Sequence, residues 1–317
     1  MSLPSFAFVI VNYRTPQLVL DCIQTIAEQV EDGDQIVVVD NGSGDDSIDI
    51  LEQAILKNKW ADCVTLIQSS VNGGFSAGNN LGIESASADA YWLTNSDTLF
   101  RPGAVAQMRK TVAACDIFGL VAPRLEWPDG RPQISTFEFH TPLGELLAGA
   151  NTGPITQLFP KAVVPIDFAA ETEFPAWVSF ASVVIRAEAI EHVGKMDSGF
   201  FMYFEDVDYC QRAIKTGLGP IFDPTTKVIH LRGGTSDVKE KTAKLERRPR
   251  YYYAARTRYF AKHFGWMGLL KANVLWTLGR IVAWFRETFG RKQPHTCERE
   301  ALDIWTNFWA PLRGTHG

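Results

Sequence analysis

The sequence predicts an α/β fold, a sheet flanked by helices with a helical C-terminal appendage. Three observations carry the prediction. Continuous apolar runs alternate with helical patterns between Phe6 and Ala122. Polar residues stand directly after those runs, where an open α/β sheet places its ligand site. Beyond about residue 240 the chain turns to aromatic and basic side chains in a helical pattern.

Residues 6–11 form the first apolar run, which ends in Asn12-Tyr13. Leu18, Leu20, Cys22, Ile23, Ile26 and Ala27 follow at helical spacing. Residues 35–39 are the second run, ending in Asp40-Asn41-Gly42. Residues 64–67, 90–94 and 118–122 are the third, fourth and fifth, and the fourth ends in Asn95-Ser96-Asp97. Such runs read as buried parallel strands. Residues 124–176 are rich in Pro and Gly without a clear period. They predict loops, a hairpin around Gly130 and a mobile cover. Residues 177–185 predict another strand, and a helix is expected to start near Glu205 and stop at Gly217.

The 317 residues are 46% hydrophobic, enough for a sizeable core. A formal net charge of −5 gives no sign of nucleic-acid binding. Cysteines at 22, 63, 115, 210 and 297 form no Cys-x-x-Cys pair. A disulfide framework or structural zinc is therefore not expected, and a reducing, cytoplasmic compartment fits. Met1-Ser2-Leu3-Pro4 precedes no signal-peptide pattern, and no stretch approaches the roughly 18 apolar residues of a membrane span.

Several clusters carry chemistry. Asn95-Ser96-Asp97 at a strand end can hold a hard divalent cation through Asp97, or serve as a helix cap or turn. Asp40-Asn41-Gly42-Ser43 can meet a base or ribose, and reads equally well as a turn. Asn72-Gly73-Gly74-Phe75-Ser76-Ala77-Gly78-Asn79-Asn80 opens a helix and permits close backbone approach to a ligand. It departs from G-x-G-x-x-G and follows the third strand, which disfavours a dinucleotide oxidoreductase. The acidic run Glu205-Asp206-Val207-Asp208 is the sharpest feature. Glu205 and Asp208 suit a helix start and an i, i+4 ion pair with Arg212. Asp206 shares a less polar face with Cys210 and Ala213, where a carboxyl should have the raised pKa of a general base. His230 after Val228-Ile229 reads as structural or as a metal ligand.

Read together, these segments resemble the inverting family 2 glycosyltransferases of the GT-A fold. The matching pieces are Val11-Asn12-Tyr13, Val39-Asp40-Asn41-Gly42-Ser43, Asn72-Gly73-Gly74-Phe75 with Gly78-Asn79-Asn80, Asn95-Ser96-Asp97 and Phe204-Glu205-Asp206-Val207-Asp208. They run in order from about residue 6 to about 265. The resemblance implies a mixed sheet flanked by helices in a catalytic domain over 1–240, with 124–176 as a loop-rich acceptor or lid region, and an appendage over 241–317. It implies that Asn12, Tyr13, Asp40, Asn72, Gly73, Gly74 and Asn95 bind the nucleotide-sugar, that Asp97 and His230 hold Mg²⁺ or Mn²⁺, and that Asp206 is the catalytic base. Asn95 replaces the first acid of the family's Asp-x-Asp motif, as in its rhamnosyltransferase-like branch.

The expected activity is sugar transfer from dTDP-rhamnose, with a UDP-hexose as the alternative donor. The acceptor is a hydroxyl of a glycan or polyprenyl-linked molecule in cell-surface polysaccharide synthesis. The rival readings are an inactive sugar- or partner-binding module on the same fold and the oxidoreductase. Residues 266–289 mix Leu, Trp, Ile and Phe with Lys271, Arg280 and Arg286. They read either as a helix packed on the catalytic domain or as peripheral contact with the inner membrane face. Homo-oligomerisation stays open.

Overall fold

The computed structural model describes residues 3–114, 117–166, 173–232, 238–290 and 293–314. Cys115, part of the expected loop region (167–172), Gly233-Gly234 and Arg291-Lys292 lie outside the described residues. The chain divides into two compact units. The first holds residues 1–136, 167–198 and 205–235, and the second holds 137–166, 199–204 and 236–317.

The first unit is built on an eight-stranded sheet. Its strands are β1 (Phe6–Asn12), β2 (Gln35–Asn41), β3 (Val64–Ser69), β4 (Ala90–Asn95), β5 (Thr98–Phe100), β6 (Leu120–Glu126), β7 (Ser182–Arg186) and β8 (Pro220–His230). The spatial order is β3-β2-β1-β4-β7-β6-β8-β5. β1, β2, β3 and β4 are mutually parallel, and β6 is parallel to β8. β7 runs antiparallel to β4 and β6, and β5 antiparallel to β8.

The five apolar runs expected as parallel strands do share one direction, since β4 and β6 both oppose β7; the sheet becomes mixed through β7 and β5. β6 is separated from β4 by an antiparallel strand. An unbroken apolar run reports burial on both faces, not direction. β7 is buried at four of its five positions, like its parallel neighbours. The strand expected over 177–185 is two pieces, Trp177–Val178 and β7, because 179–181 leave the ladder. The turn at Gly130 is present: the Gly130 N–H donates to the Trp127 carbonyl and the Trp127 N–H to that of Arg131.

One face of the sheet buries Phe6, Phe8, Trp92 and Phe100. Phe8 stacks on Trp92 at 5.4 Å, and Trp92 meets Phe100 edge-on at 4.8 Å. Helix Gly74–Glu84 lies tightly on β1 and β2 because Gly78 and Gly82 face those strands without a side chain. A Cβ on Gly82 would fall 2.3 Å from Val9 Cγ1, and one on Gly78 2.9 Å from Val11 Cγ1. Gly78 of the glycine-rich segment and Gly82 just beyond it serve helix–sheet packing.

The second unit is helical. Its longest element, Arg250–Gly290, is kinked at Gly265, where φ is +70°. Helix Pro142–Ala150 packs on it. Thr141 caps that helix, its hydroxyl accepting from the Gly144 N–H at 3.0 Å. The two helices touch through glycines: a Cβ on Gly149 would lie 2.3 Å from the Trp276 carbonyl, and one on Gly279 2.4 Å from that of Leu146. Part of the expected loop region is thus a helix grouped with the C-terminal residues. Gly144 and Gly149 hide it, since glycine lowers helix propensity by about 1 kcal/mol.

Candidate active site

Because β2, β1 and β4 are parallel neighbours, their carboxyl ends share one edge of the sheet. Asn12 stands opposite Asp40, and Asn95 opposite Val11. The strand order reverses at β1, which makes this edge the topological switch point.

Asn12 is fully buried and organises the edge. Its amide donates to Asp40 Oδ1 at 2.7 Å and to Ser43 Oγ at 3.2 Å. Its Oδ1 accepts from the Thr15 N–H at 3.1 Å. The Thr15 hydroxyl in turn lies 3.2 Å from Ser96 Oγ. Asp40 Oδ2 accepts from the Ser43 N–H at 3.1 Å, so this carboxylate also closes the turn that its sequence pattern suggests. Tyr13 is half-buried beyond the strand end, with the Arg14 guanidinium 5.2 Å from its ring.

Asn41 was not singled out by its sequence context, yet it holds the whole Asn72-Gly73-Gly74 turn. Its amide donates to Asn72 Oδ1 and to the Gly74 carbonyl, each at 3.0 Å, and its Oδ1 accepts from the Gly73 N–H at 3.3 Å. Asn72 Oδ1 also accepts from the Gly74 N–H. Gly42 has φ +68°, and a Cβ there would fall 2.5 Å from the Val71 carbonyl carbon. The two strand-end turns therefore fit only without that side chain.

Asn95, Ser96 and Asp97 cross from β4 to β5. Asp97 and His230 are both buried, and His230 Nε2 lies 3.5 Å from Asp97 Oδ1. The pair arises because β8 ends antiparallel to β5, with His230 opposite Thr98. The His230 carbonyl accepts from Gln133 at 2.6 Å. Its Nδ1 is buried with no hydrogen-bond partner.

An oxygen and an imidazole nitrogen facing each other fit a divalent cation such as Mn²⁺. No group of three or more metal-ligating side chains occurs among the described residues. A cation on this pair would take its remaining ligands from substrate oxygens and water.

Glu205–Lys215 is a helix with Glu205, Asp206 and Asp208 in its first turn. Asp208 is fully buried and paired with Arg212 Nε at 3.0 Å, the structural role its spacing suggests. Asp206 lies on the side of Cys210 and Ala213, both fully buried, and is itself part-exposed. Burial pushes its carboxyl up to about 7, against the backbone N–H groups of Val207 and Phe180 that favour the charged form. Glu205 opens the helix as its position suggests, and its surroundings add more. It is buried, its Oε2 has no partner, and burial together with the Asp206 charge raises it well above the usual carboxylate range.

Residues 180 and 181 join these pieces. The Phe180 N–H faces the Asp206 carboxyl, while the Ala181 carbonyl accepts from the Asn95 N–H at 2.9 Å. Asp206 is thereby set beside the strand end that leads to Asp97. The sequence holds no signal for this, because backbone groups make both contacts.

Residues 7–144 match the family model described as Glycosyl transferase family 2. The low-salt glycan biosynthesis hexosyltransferase Agl10 of Haloferax volcanii is 24% identical over 217 residues, 67% of this chain and 62% of that protein. This chain thus spans less than two thirds of that relative's length. The N-acetylglucosaminyl-diphospho-decaprenol L-rhamnosyltransferase of Mycobacterium tuberculosis is 24% identical over 264 residues, 77% of this chain and 79% of that protein. Among solved structures, mannosyltransferase PcManGT from Pyrobaculum calidifontis, in complex with GDP-Man and Mn²⁺, superposes with a TM-score of 0.55 at 13% identity, covering 98% of this chain and 86% of that one. Residues 7–144 thus resemble glycosyltransferase family 2, and the mixed sheet with its solved neighbours shows the GT-A fold.

Proposed function

We propose that the protein is an inverting glycosyltransferase. It moves a sugar from a nucleotide-diphosphate donor to a hydroxyl of a glycan or polyprenyl-linked acceptor in cell-surface polysaccharide synthesis. dTDP-rhamnose is the favoured donor, because the Mycobacterium relative is named a rhamnosyltransferase and Asn95-Ser96-Asp97 has the Asn-x-Asp form. A UDP-hexose is the alternative. The work is assigned to the cytoplasmic side.

The observation that carries the proposal is Asp206. Its carboxyl is raised to about 7 and held by the Phe180 N–H beside the Asn95 strand end. A base with a pKa near the working pH is best suited to proton transfer in the transition state. In the proposed step the acceptor oxygen attacks the anomeric carbon from the face opposite the diphosphate. Asp206 takes the hydroxyl proton, and the bond to the diphosphate breaks with its electron pair leaving on the phosphate oxygen. One displacement inverts the anomeric centre. Asp97 and His230 would hold Mg²⁺ or Mn²⁺, which supplies charge neutralisation for the departing diphosphate. Asn12, Tyr13, Asp40, Asn72, Gly73, Gly74 and Asn95 are assigned to the donor, with Asn12 and Asn41 keeping the two turns in shape.

The test is nucleoside diphosphate release from a panel of activated sugars, with product stereochemistry read by NMR. Release from dTDP-rhamnose with an inverted linkage supports the proposal. Donor binding without release from any sugar supports the second reading, an inactive binding module. Retention at the anomeric centre rejects Asp206 as the base in a single displacement.

A further inference from the structure

In the second unit, the half of Arg250–Gly290 that follows the Gly265 kink is turned inside out relative to a helix facing water. Five of its seven buried positions are small or polar, Gly268, Ala272, Asn273, Gly279 and Ala283, and Leu269 and Trp276 are the other two. Its exposed positions carry large apolar side chains, among them Trp266, Leu278, Ile281, Trp284, Phe285 and Phe289. Phe289 is 77% exposed. Among the described residues of this half, Lys271 is the one exposed charge, and no acidic side chain is exposed.

The polar groups lie beneath the helix. Buried Arg256 pairs with Glu145 at 2.7 Å and donates to Asn273 Oδ1 at 2.8 Å. Arg248 pairs with Glu300 at 2.6 Å. These ion pairs line a cavity of about 490 Å³ within the unit. Small residues bring the helices into contact, as at Gly149 and Gly279, while most of the bulky apolar side chains of this half are exposed. Water opposes that arrangement, and hydrocarbon favours it.

We infer that this face docks in the plane of a lipid bilayer. No helix is long and apolar enough to cross a membrane, so the helix lies along the surface. Trp266 and Trp284 are exposed toward the two ends of the strip, and indole rings partition to the headgroup region. Trp266 packs on Phe308 at 5.2 Å and lies 6.3 Å from Trp309, which is 87% exposed. The apolar surface therefore continues into the C-terminal segment. A second copy of the chain fits less well. A paired helix needs a narrow two-position seam, whereas Val282, Trp284 and Phe289 widen this strip and Lys271 falls in line with it. The inference stands apart from sugar transfer.

The experiment floats the full chain with phosphatidylcholine–phosphatidylglycerol vesicles on a density gradient. The chain is expected to rise with the vesicles. The exposed-site double variant Trp284→Glu/Phe285→Glu should lower the bound fraction at least ~10-fold, with unchanged circular dichroism and unchanged calorimetric binding of nucleoside diphosphate. If that variant misfolds, Leu278→Lys and Trp309→Ser, each at an exposed site, replace it and should show the same loss. A wild-type chain that stays in the bottom fraction overturns the inference, as do folded variants that float like wild type. A dimer in sedimentation velocity that the substitutions split, without vesicle binding, assigns the face to a second copy and also overturns it.

Discussion

His230 Nε2 lies 3.5 Å from Asp97 Oδ1, with both side chains buried. Asp97 sits in the turn between β4 and β5 and His230 ends β8, and the antiparallel pairing of His230 with Thr98 fixes their approach. If the pair holds the cation, Asp97→Asn keeps the shape and removes the charge. Affinity for nucleoside diphosphate in Mn²⁺ should fall by about 100-fold, and for His230→Gln by about 10-fold. Calorimetry with and without chelator checks both. Equal affinities for wild type and Asp97→Asn would falsify the assignment.

Asp206→Asn removes the base and keeps the contour. Turnover should drop by about 10²–10⁴, with donor affinity within about twofold of wild type. The proton must leave before Asp206 can act, so kcat/KM should rise with pH through about 7. A flat profile between about pH 6 and 8 would argue against this role.

Glu205 and Asp206 also shape stability. A carboxyl raised in the folded state binds its proton more tightly there than in the unfolded chain, where it titrates near about 4. The stability it contributes is full below about pH 4 and is lost as pH rises through the folded value, about 7 for Asp206. Glu205→Gln removes a buried acid whose Oε2 has no partner. Its Tm at pH 8 should exceed that of wild type by about 2–4 °C, narrowing toward acid pH. A lower Tm at pH 8 counts against the raised carboxyl.

Asp208→Ala is the structural control in the same helix turn. It leaves Arg212 without its buried partner, and unfolding in urea should show a loss of about 3 kcal/mol. The pH midpoint of kcat/KM in the folded variant should stay at about 7, as set by Asp206.

Asn41 and Gly42 probe the strand-end turns. Asn41→Ala removes the amide that holds Asn72, Gly73 and Gly74, and should cost about 1–3 kcal/mol together with donor affinity. Gly42→Ala meets both a positive φ and the Val71 backbone at 2.5 Å, so its loss should be larger. Chemical denaturation and donor titration of the two variants separate folding from binding. Wild-type stability for Gly42→Ala would contradict the close approach.

Much of the first unit was legible from local pattern. The five largely apolar runs are strands of one direction, and the first four end in polar residues. The Asp208–Arg212 pair followed from i, i+4 spacing, and Asp206 from the apolar side of its helix. The antiparallel β7 was not legible, since its residues are buried like those of its parallel neighbours. Helix Pro142–Ala150 was hidden by the glycines that let it pack. Glu205 is the helix-start acid its position suggests, but its burial was not legible.

The amino-acid sequence alone determined which residue types stand at the strand ends: Asn12, Asp40, Asn95 and Asp97, with Asp206 opening a helix. Periodicity and turn chemistry are local, so a single chain segment carries them. Only the tertiary structure decided that His230 meets Asp97, that Asn41 holds the Asn72 turn, and that residues 180–181 bring Asp206 beside Asn95. Those contacts depend on strand direction and register and, at residues 180–181, on backbone groups common to every residue. Long-range pairing therefore had to form before the site could exist.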